Sequence, residues 1–165
     1  MSDKQLSMFS GESSEPAPQG KPVSFSLSRT CKGNAQKVFD QWLIPVFIGE
    51  WMFGEHTNTN EIVELQNTVR RGGEFTFKTR SGNQEVIHSG EYDTLRIPNV
   101  LAFSWLDSRE PEKPIHVHVE FTEQDDKTRL KVTIKIPATM KDEKDSVKEL
   151  WSSRCDALVE RLKSH

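Results

Sequence analysis

Residues 115–136 read Ile115-His116-Val117-His118-Val119-Glu120-Phe121-Thr122-Glu123-Gln124-Asp125-Asp126-Lys127-Thr128-Arg129-Leu130-Lys131-Val132-Thr133-Ile134-Lys135-Ile136. Apolar and polar residues alternate on both sides of Asp125-Asp126, the period of two half-buried strands joined by a tight turn. A turn at that point sets Phe121 opposite Leu130, Val119 opposite Val132, Val117 opposite Ile134 and Ile115 opposite Ile136. Glu120 then faces Lys131 on the other side, so the hairpin has one apolar and one charged face. A sheet built on it needs a cover for the apolar face only.

The cover is found downstream. From 144 to 162 the spacing becomes helical, and Val147, Leu150, Trp151, Cys155, Leu158, Val159 and Leu162 make one stripe with charges opposite. Upstream, Val23, Phe25 and Leu27 alternate with serines as a first strand. Asn34 is placed to cap a helix over 35–42, and Pro45 to open a second short helix through about residue 50. Further strands are expected over 62–69, 74–80, 84–95, 100–106, 115–122 and 128–136, separated by Gly, Pro, Asn and Asp turn signals. The fold class is therefore α+β: a curved seven-stranded antiparallel sheet wrapped around a long C-terminal helix, with two short helices after the first strand. This arrangement leaves a cavity between sheet and helix. An open pocket and a packed core have the same residue spacing, so both readings stand.

The chain has 165 residues, 34% of them hydrophobic and 28% charged, enough for one domain with its own core. With 22 Lys+Arg against 25 Asp+Glu, the net charge of -3 gives no bulk attraction to nucleic acid. No stretch of about 18 apolar residues occurs, and the first residues are polar, which points to a cytoplasmic protein with no membrane partner. Residues 1–22 are rich in Ser, Gly, Pro and Glu and are expected to be a disordered tail, leaving 23–165 as a single domain. Cys31 and Cys155 form no Cys-x-x-Cys pair and read as reduced, buried thiols.

Local motifs go further than element order. Ala35-Gln36-Lys37-Val38-Phe39-Asp40-Gln41-Trp42 with Pro45 and Trp51, then Arg70-Arg71-Gly72-Gly73-Glu74-Phe75, are two of them. His88-Ser89-Gly90-Glu91-Tyr92 and Pro98-Asn99-Val100-Leu101-Ala102-Phe103-Ser104-Trp105 are two more, and Trp151 and Leu158 lie on the last helix. Together these resemble the family named after the activator of the heat-shock protein 90 ATPase, in the SRPBCC or START-like superfamily, over roughly residues 23–163. The resemblance implies the helix-grip fold of the birch-pollen-allergen type. It departs at Gly33-Asn34, where the family usually has Ala-Pro before the first helix. The fold hosts lipid binders, cyclases, hydrolase-like enzymes and co-chaperone domains, so it does not itself assign a function.

Chemistry-bearing residues are few. His116 and His118 share one strand face, a chelating spacing, but alternation turns them outward opposite Lys135 and Thr133, and no metal is expected. Gly72-Gly73 opens no helix and is followed by no Gly-Lys-Ser/Thr, so it is not a phosphate loop; no nucleophile elbow or His-Glu-x-x-His is present. No cofactor is implied. Phe75, Phe77, His88, Tyr92, Phe103, Trp105, Trp151, Cys155 and Leu158 are the candidates to line the cavity, an apolar surround with few polar handles. The leading reading is non-catalytic binding of a small hydrophobic or aromatic molecule. Its alternatives are a protein-interaction or co-chaperone-like module, which the family name implies, and a cavity enzyme of cyclase or hydrolase type using His88 and Tyr92 as acid and base. Because residues 1–22 lack apolar periodicity, deleting them should leave the thermal midpoint unchanged; a calorimetric scan of the truncated chain checks this.

Overall fold

Val117, Val119 and Phe121 stand opposite Ile134, Val132 and Leu130 in the computed structural model, as the alternation predicts. The structure describes residues 20–57, 59 and 61–164. The tail expected over residues 1–22 falls mostly outside them. Seven strands form one curved antiparallel sheet: β1 (Val23–Lys32), β2 (Glu61–Asn67), β3 (Glu74–Ser81), β4 (Gln84–Arg96), β5 (Val100–Asp107), β6 (Ile115–Gln124) and β7 (Lys127–Ile136). Their order is β1-β7-β6-β5-β4-β3-β2, so the meander from β2 to β7 is extended by β1 at its far edge. Three helices follow the expected plan: α1 (Ala35–Asp40), α2 (Pro45–Trp51) and α3 (Lys144–Lys163).

Each boundary has a local cause. The side chain of Asn34 accepts a hydrogen bond from the Lys37 N–H at 2.8 Å, capping α1. Pro45 occupies the first turn of α2, where its missing N–H costs nothing. β1 runs past the predicted Ser28 because Leu27 and Cys31 keep the inward period, and Cys31 is fully buried. Short 3-10 turns over Glu55–Thr57 and Ala138–Glu143 escaped the sequence reading, since three to six residues carry no resolvable period.

The apolar face of β6 and β7 is fully buried at Val117, Val119, Leu130, Val132, Ile134 and Ile136. Burial of each such side chain is worth about 1.5–3 kcal/mol, so this face drives the sheet to close over α3. The opposite face carries His116 and His118, half-exposed, with Nε2 atoms 2.7 Å from Asp93 and 3.3 Å from Glu120. Among the described residues no three His, Cys, Asp or Glu side chains converge as metal ligands, and no helix is long and apolar enough to cross a membrane.

Between β4 and β5 the backbones approach closely at Gly90. A Cβ there would lie 1.9 Å from the Ser104 carbonyl oxygen and 2.6 Å from Cζ of Phe75. The next amide, Glu91 N–H, donates to Ser104 Oγ at 2.9 Å, fixing the approach. Gly90→Ala should therefore cost roughly 2 to 4 kcal/mol, because the obstruction is main chain and cannot rotate away. Denaturant melts of the variant check this, and an unchanged midpoint would show that β4 and β5 separate freely.

Candidate functional site

Strand alternation directs Phe75 and Phe77 from β3, His88 and Tyr92 from β4, and Phe103 and Trp105 from β5 to the inner face, and all six are buried. Phe75 stacks on Phe77 at 4.8 Å and lies 5.8 Å from Trp105. From α3, Trp151 meets Trp105 edge-on at 5.1 Å. Trp42, between α1 and α2, and Phe53, after α2, close the remaining sides.

These seven sequence-expected residues come together. Cys155 and Leu158, also buried, lie further along α3. Burial pushes both thiols up to about 12, which leaves them protonated and unreactive. The cavity that the architecture implies is closed: the space bounded by Trp42, Met52, Phe75, Phe77, Tyr92, Phe103 and Trp105 is about 10 Å³. Three neighbouring strands each contribute two large side chains to one face, and their volume fills the gap. What remains has room for about one water.

His88 is 2% exposed and lies 4.9 Å from the Trp105 ring and 5.2 Å from Phe53. Its Nε2 faces Asp107 Oδ2 at a loose 3.4 Å, while Nδ1 is buried without a partner. Burial lowers the imidazole pKa below its ordinary value; Asp107 pulls it back, and Arg154 adds to the lowering. The ring is therefore neutral at pH 7. Burial also works against the charge on Asp107, but His88 and Arg109 outweigh it and hold the carboxyl well below the usual range. Arg109 grips that carboxylate with two bonds, at 3.0 and 2.7 Å. Tyr92 is engaged elsewhere: its hydroxyl oxygen accepts from Asn67 Nδ2 at 3.0 Å, and burial raises its pKa. His88 and Tyr92, four residues apart on one strand and thus about 13 Å apart along it, have separate partners and form no acid–base pair.

Sequence reasoning missed Arg154. It is 1% exposed on α3, three residues after Trp151 and four before Leu158, a spacing that places it on the buried stripe. Its Nε donates to the Met52 carbonyl at 3.0 Å, and its Cζ sits 4.6 Å from the Trp151 ring and 5.0 Å from Trp105. Its Nη1 has no partner. Among the described residues no carboxylate reaches it. Burial pushes the guanidinium down to about 9, so it remains protonated at neutral pH. Among the described residues, Trp42 Nε1 is the third buried side-chain polar atom without a partner.

The family model described as activator of Hsp90 ATPase homolog 1-like protein matches residues 32–163. No curated protein matches the sequence significantly. Among solved structures, a protein of unknown function from Staphylococcus aureus superposes with a TM-score of 0.72 at 14% identity, covering 87% of this chain and 95% of that one. CalU16 from Micromonospora echinospora gives 0.61 at 22% identity, with coverage of 86% and 77%. Ara h 8.0201 gives 0.67 at 11% identity, with coverage of 88% and 100%. At these identities the likeness is one of fold.

The buried His88 sets a pH dependence. Its folded pKa lies below the unfolded value of about 6.5, so the unfolded chain binds the extra proton first and stability falls as pH drops below that value. His88→Gln should flatten the decline between pH 7 and 5, measured by denaturant melts at several pH values. A decline unchanged in the variant would place its origin in other groups.

Proposed function

The chain belongs to the family of activator of Hsp90 ATPase homolog 1-like proteins, and from that premise we propose that it is a non-catalytic binder of a small hydrophobic or aromatic molecule, taken up between the sheet and α3. The observation that carries this reading is the combination of an aromatic interior with three buried polar atoms that have no partner: Trp42 Nε1, His88 Nδ1 and Arg154 Nη1. Each such atom left unpaired costs about 1–3 kcal/mol. A ligand site keeps a small number of them to orient its guest.

Ligand pockets measure about 300–1,000 Å³, so the interior opens for a guest. Phe53 is the side chain placed to give way. It follows α2 in a bend outside any helix or strand, and it packs over His88 at 5.2 Å and beneath Arg154 at 5.7 Å. Turning it outward frees the space of one aromatic ring beside both polar groups.

A second reading, docking on another protein, has its own support. β2 is an edge strand, and Ile62 and Val63 on it are exposed together with Ile44 and Val46 near the start of α2. A groove of about 540 Å³ lies next to them, with Pro45 and Leu65 as its apolar border and Gln66, Asn67, Thr68, Glu74 and Thr76 as its polar one. Exposed strand edges with apolar side chains accept partner strands.

Ligand screening separates the two readings. Fatty acids, flavonoids and polycyclic aromatics are expected to quench the emission of Trp105 and Trp151. A binder at a hundred times its Kd stabilises the fold by about 2.7 kcal/mol. Phe53→Ala, which leaves a ring-sized void, should bind the aromatic members more tightly than the wild type. Absence of both quenching and thermal shift in wild type and variant rejects the internal site and favours the β2 edge.

A further inference from the structure

A guanidinium buried to this degree ordinarily faces a carboxylate. Arg154 has instead one backbone carbonyl, the faces of Trp151, Trp105 and Phe53, and an Nη1–H group with no acceptor. Its nearest influential anion, Asp107, is held by both arms of Arg109 and faces His88. Asp107 is therefore committed to other partners and does not contact Arg154. The interior thus contains a charge-bearing donor with spare capacity and, among the described residues, no protein group to use it.

We propose that the molecule taken up in this interior is an apolar carboxylic acid, its ring or chain packed among the aromatic side chains and its carboxylate held by Arg154. The inference rests on the reading of this interior as a ligand site and adds the chemical class of the ligand. Three observations converge on it. Two of the three unpartnered atoms, Arg154 Nη1 and Trp42 Nε1, are N–H donors, so the complementary group is an acceptor. The planar guanidinium matches the planar carboxylate, and the low-dielectric surround strengthens their attraction. The charge to be matched is a single one, because Arg109 is neutralised by Asp107 and His88 is neutral at pH 7. A dianion such as a phosphate monoester would retain an unpaired buried charge, which strongly disfavours it.

The aromatic faces explain how the cation persists without its ligand. Cation–π contacts with Trp151 at 4.6 Å and Trp105 at 5.0 Å partly replace the lost hydration. They leave the in-plane N–H edge directed elsewhere, the edge through which a carboxylate binds.

The test compares 2-naphthoate with 2-naphthamide, which share a ring system and differ in charge. Calorimetric titration of the full chain at pH 7 should give the acid at least about a tenfold tighter Kd than the amide, the scale of a hydrogen bond to a charged group. In Arg154→Met the preference should vanish while the amide binds as before, and the unliganded thermal midpoint should not fall, since an unpaired cation gives way to an apolar side chain of similar length. Arg154→Lys keeps the charge and loses the fork, and should show an intermediate preference if the Met variant does not fold. An amide that binds the wild type as tightly as the acid overturns the assignment of ligand class and leaves the internal site standing. An acid preference that survives in Arg154→Met overturns the role of Arg154. If neither probe binds the wild type or Phe53→Ala, the internal site itself is refuted, and the ligand class with it.

Discussion

The edge-on contact between Trp151 and Trp105, 5.1 Å between ring centres, is where the two halves of the molecule meet. An antiparallel sheet with one apolar face is incomplete in water, and α3 is, among the described residues, the only long element with a matching stripe. Seating that stripe fixes the curvature of the sheet and the inward direction of β3, β4 and β5. The short helices then fill the open end, with Trp42 packed against Trp51 at 4.8 Å and against Phe103 at 6.4 Å. The Trp51 indole N–H donates to the Gln41 carbonyl at 2.9 Å, so the helix pair is braced independently of the sheet.

From this seating follows the composition of the interior. Trp151 positions the next turn of α3, so Arg154 enters the core with its guanidinium over the rings of Trp151, Trp105 and Phe53. β4 supplies His88 at the level of Asp107, the last residue of β5, and Gly90 permits the two strands to come close enough for that register. The polar cluster His88, Asp107 and Arg109 thus sits where β5 ends and the chain leaves the sheet. Burial lowers the pKa of the imidazole, while the bonds from His88 and Arg109 lower that of the carboxyl against its own burial, and so their proton affinities separate.

Much of the fold could be read from the sequence, because its two periods are clean. The 115–136 hairpin alternates without a break, and its predicted pairs agree with the observed register. α3 was placed within a residue at its C-terminal end. In β1, Arg29 and Thr30 interrupt the serine alternation, although Cys31 restores the inward phase. For the site, the aromatic positions followed from strand phase alone. Arg154 did not, because a charged residue on an apolar stripe is ordinarily assigned to the helix flank; its position between Trp151 and Leu158 was the available signal. Asp107 and Arg109 lie at a strand end where alternation stops, so no periodic argument reached them. The filling of the cavity was also beyond the pattern: spacing says which side chains point inward, but their summed volume against a curved sheet is a three-dimensional quantity.

Energetics set Arg154 apart from the rest of the core. Replacing a buried ion by an apolar side chain of like volume is often neutral or stabilising, so folding alone gives weak reason for a guanidinium here. The three aromatic faces and the Met52 carbonyl offset part of the desolvation, each cation–π contact contributing up to about 2 kcal/mol when dry. Asp107 offsets more through its charge without contact, and the N–H of Nη1 is paired only when an acceptor reaches it. Among the described residues Asp107 does not serve as that acceptor, since its rotation toward Arg154 would break the paired bonds with Arg109 and leave His88 without its anion. The arrangement therefore leaves an unpaired donor at one buried point, next to Phe53, a side chain outside any helix or strand. A guest that brings its own acceptor and its own ring relieves both the unpaired donor and the displaced aromatic contact in a single step.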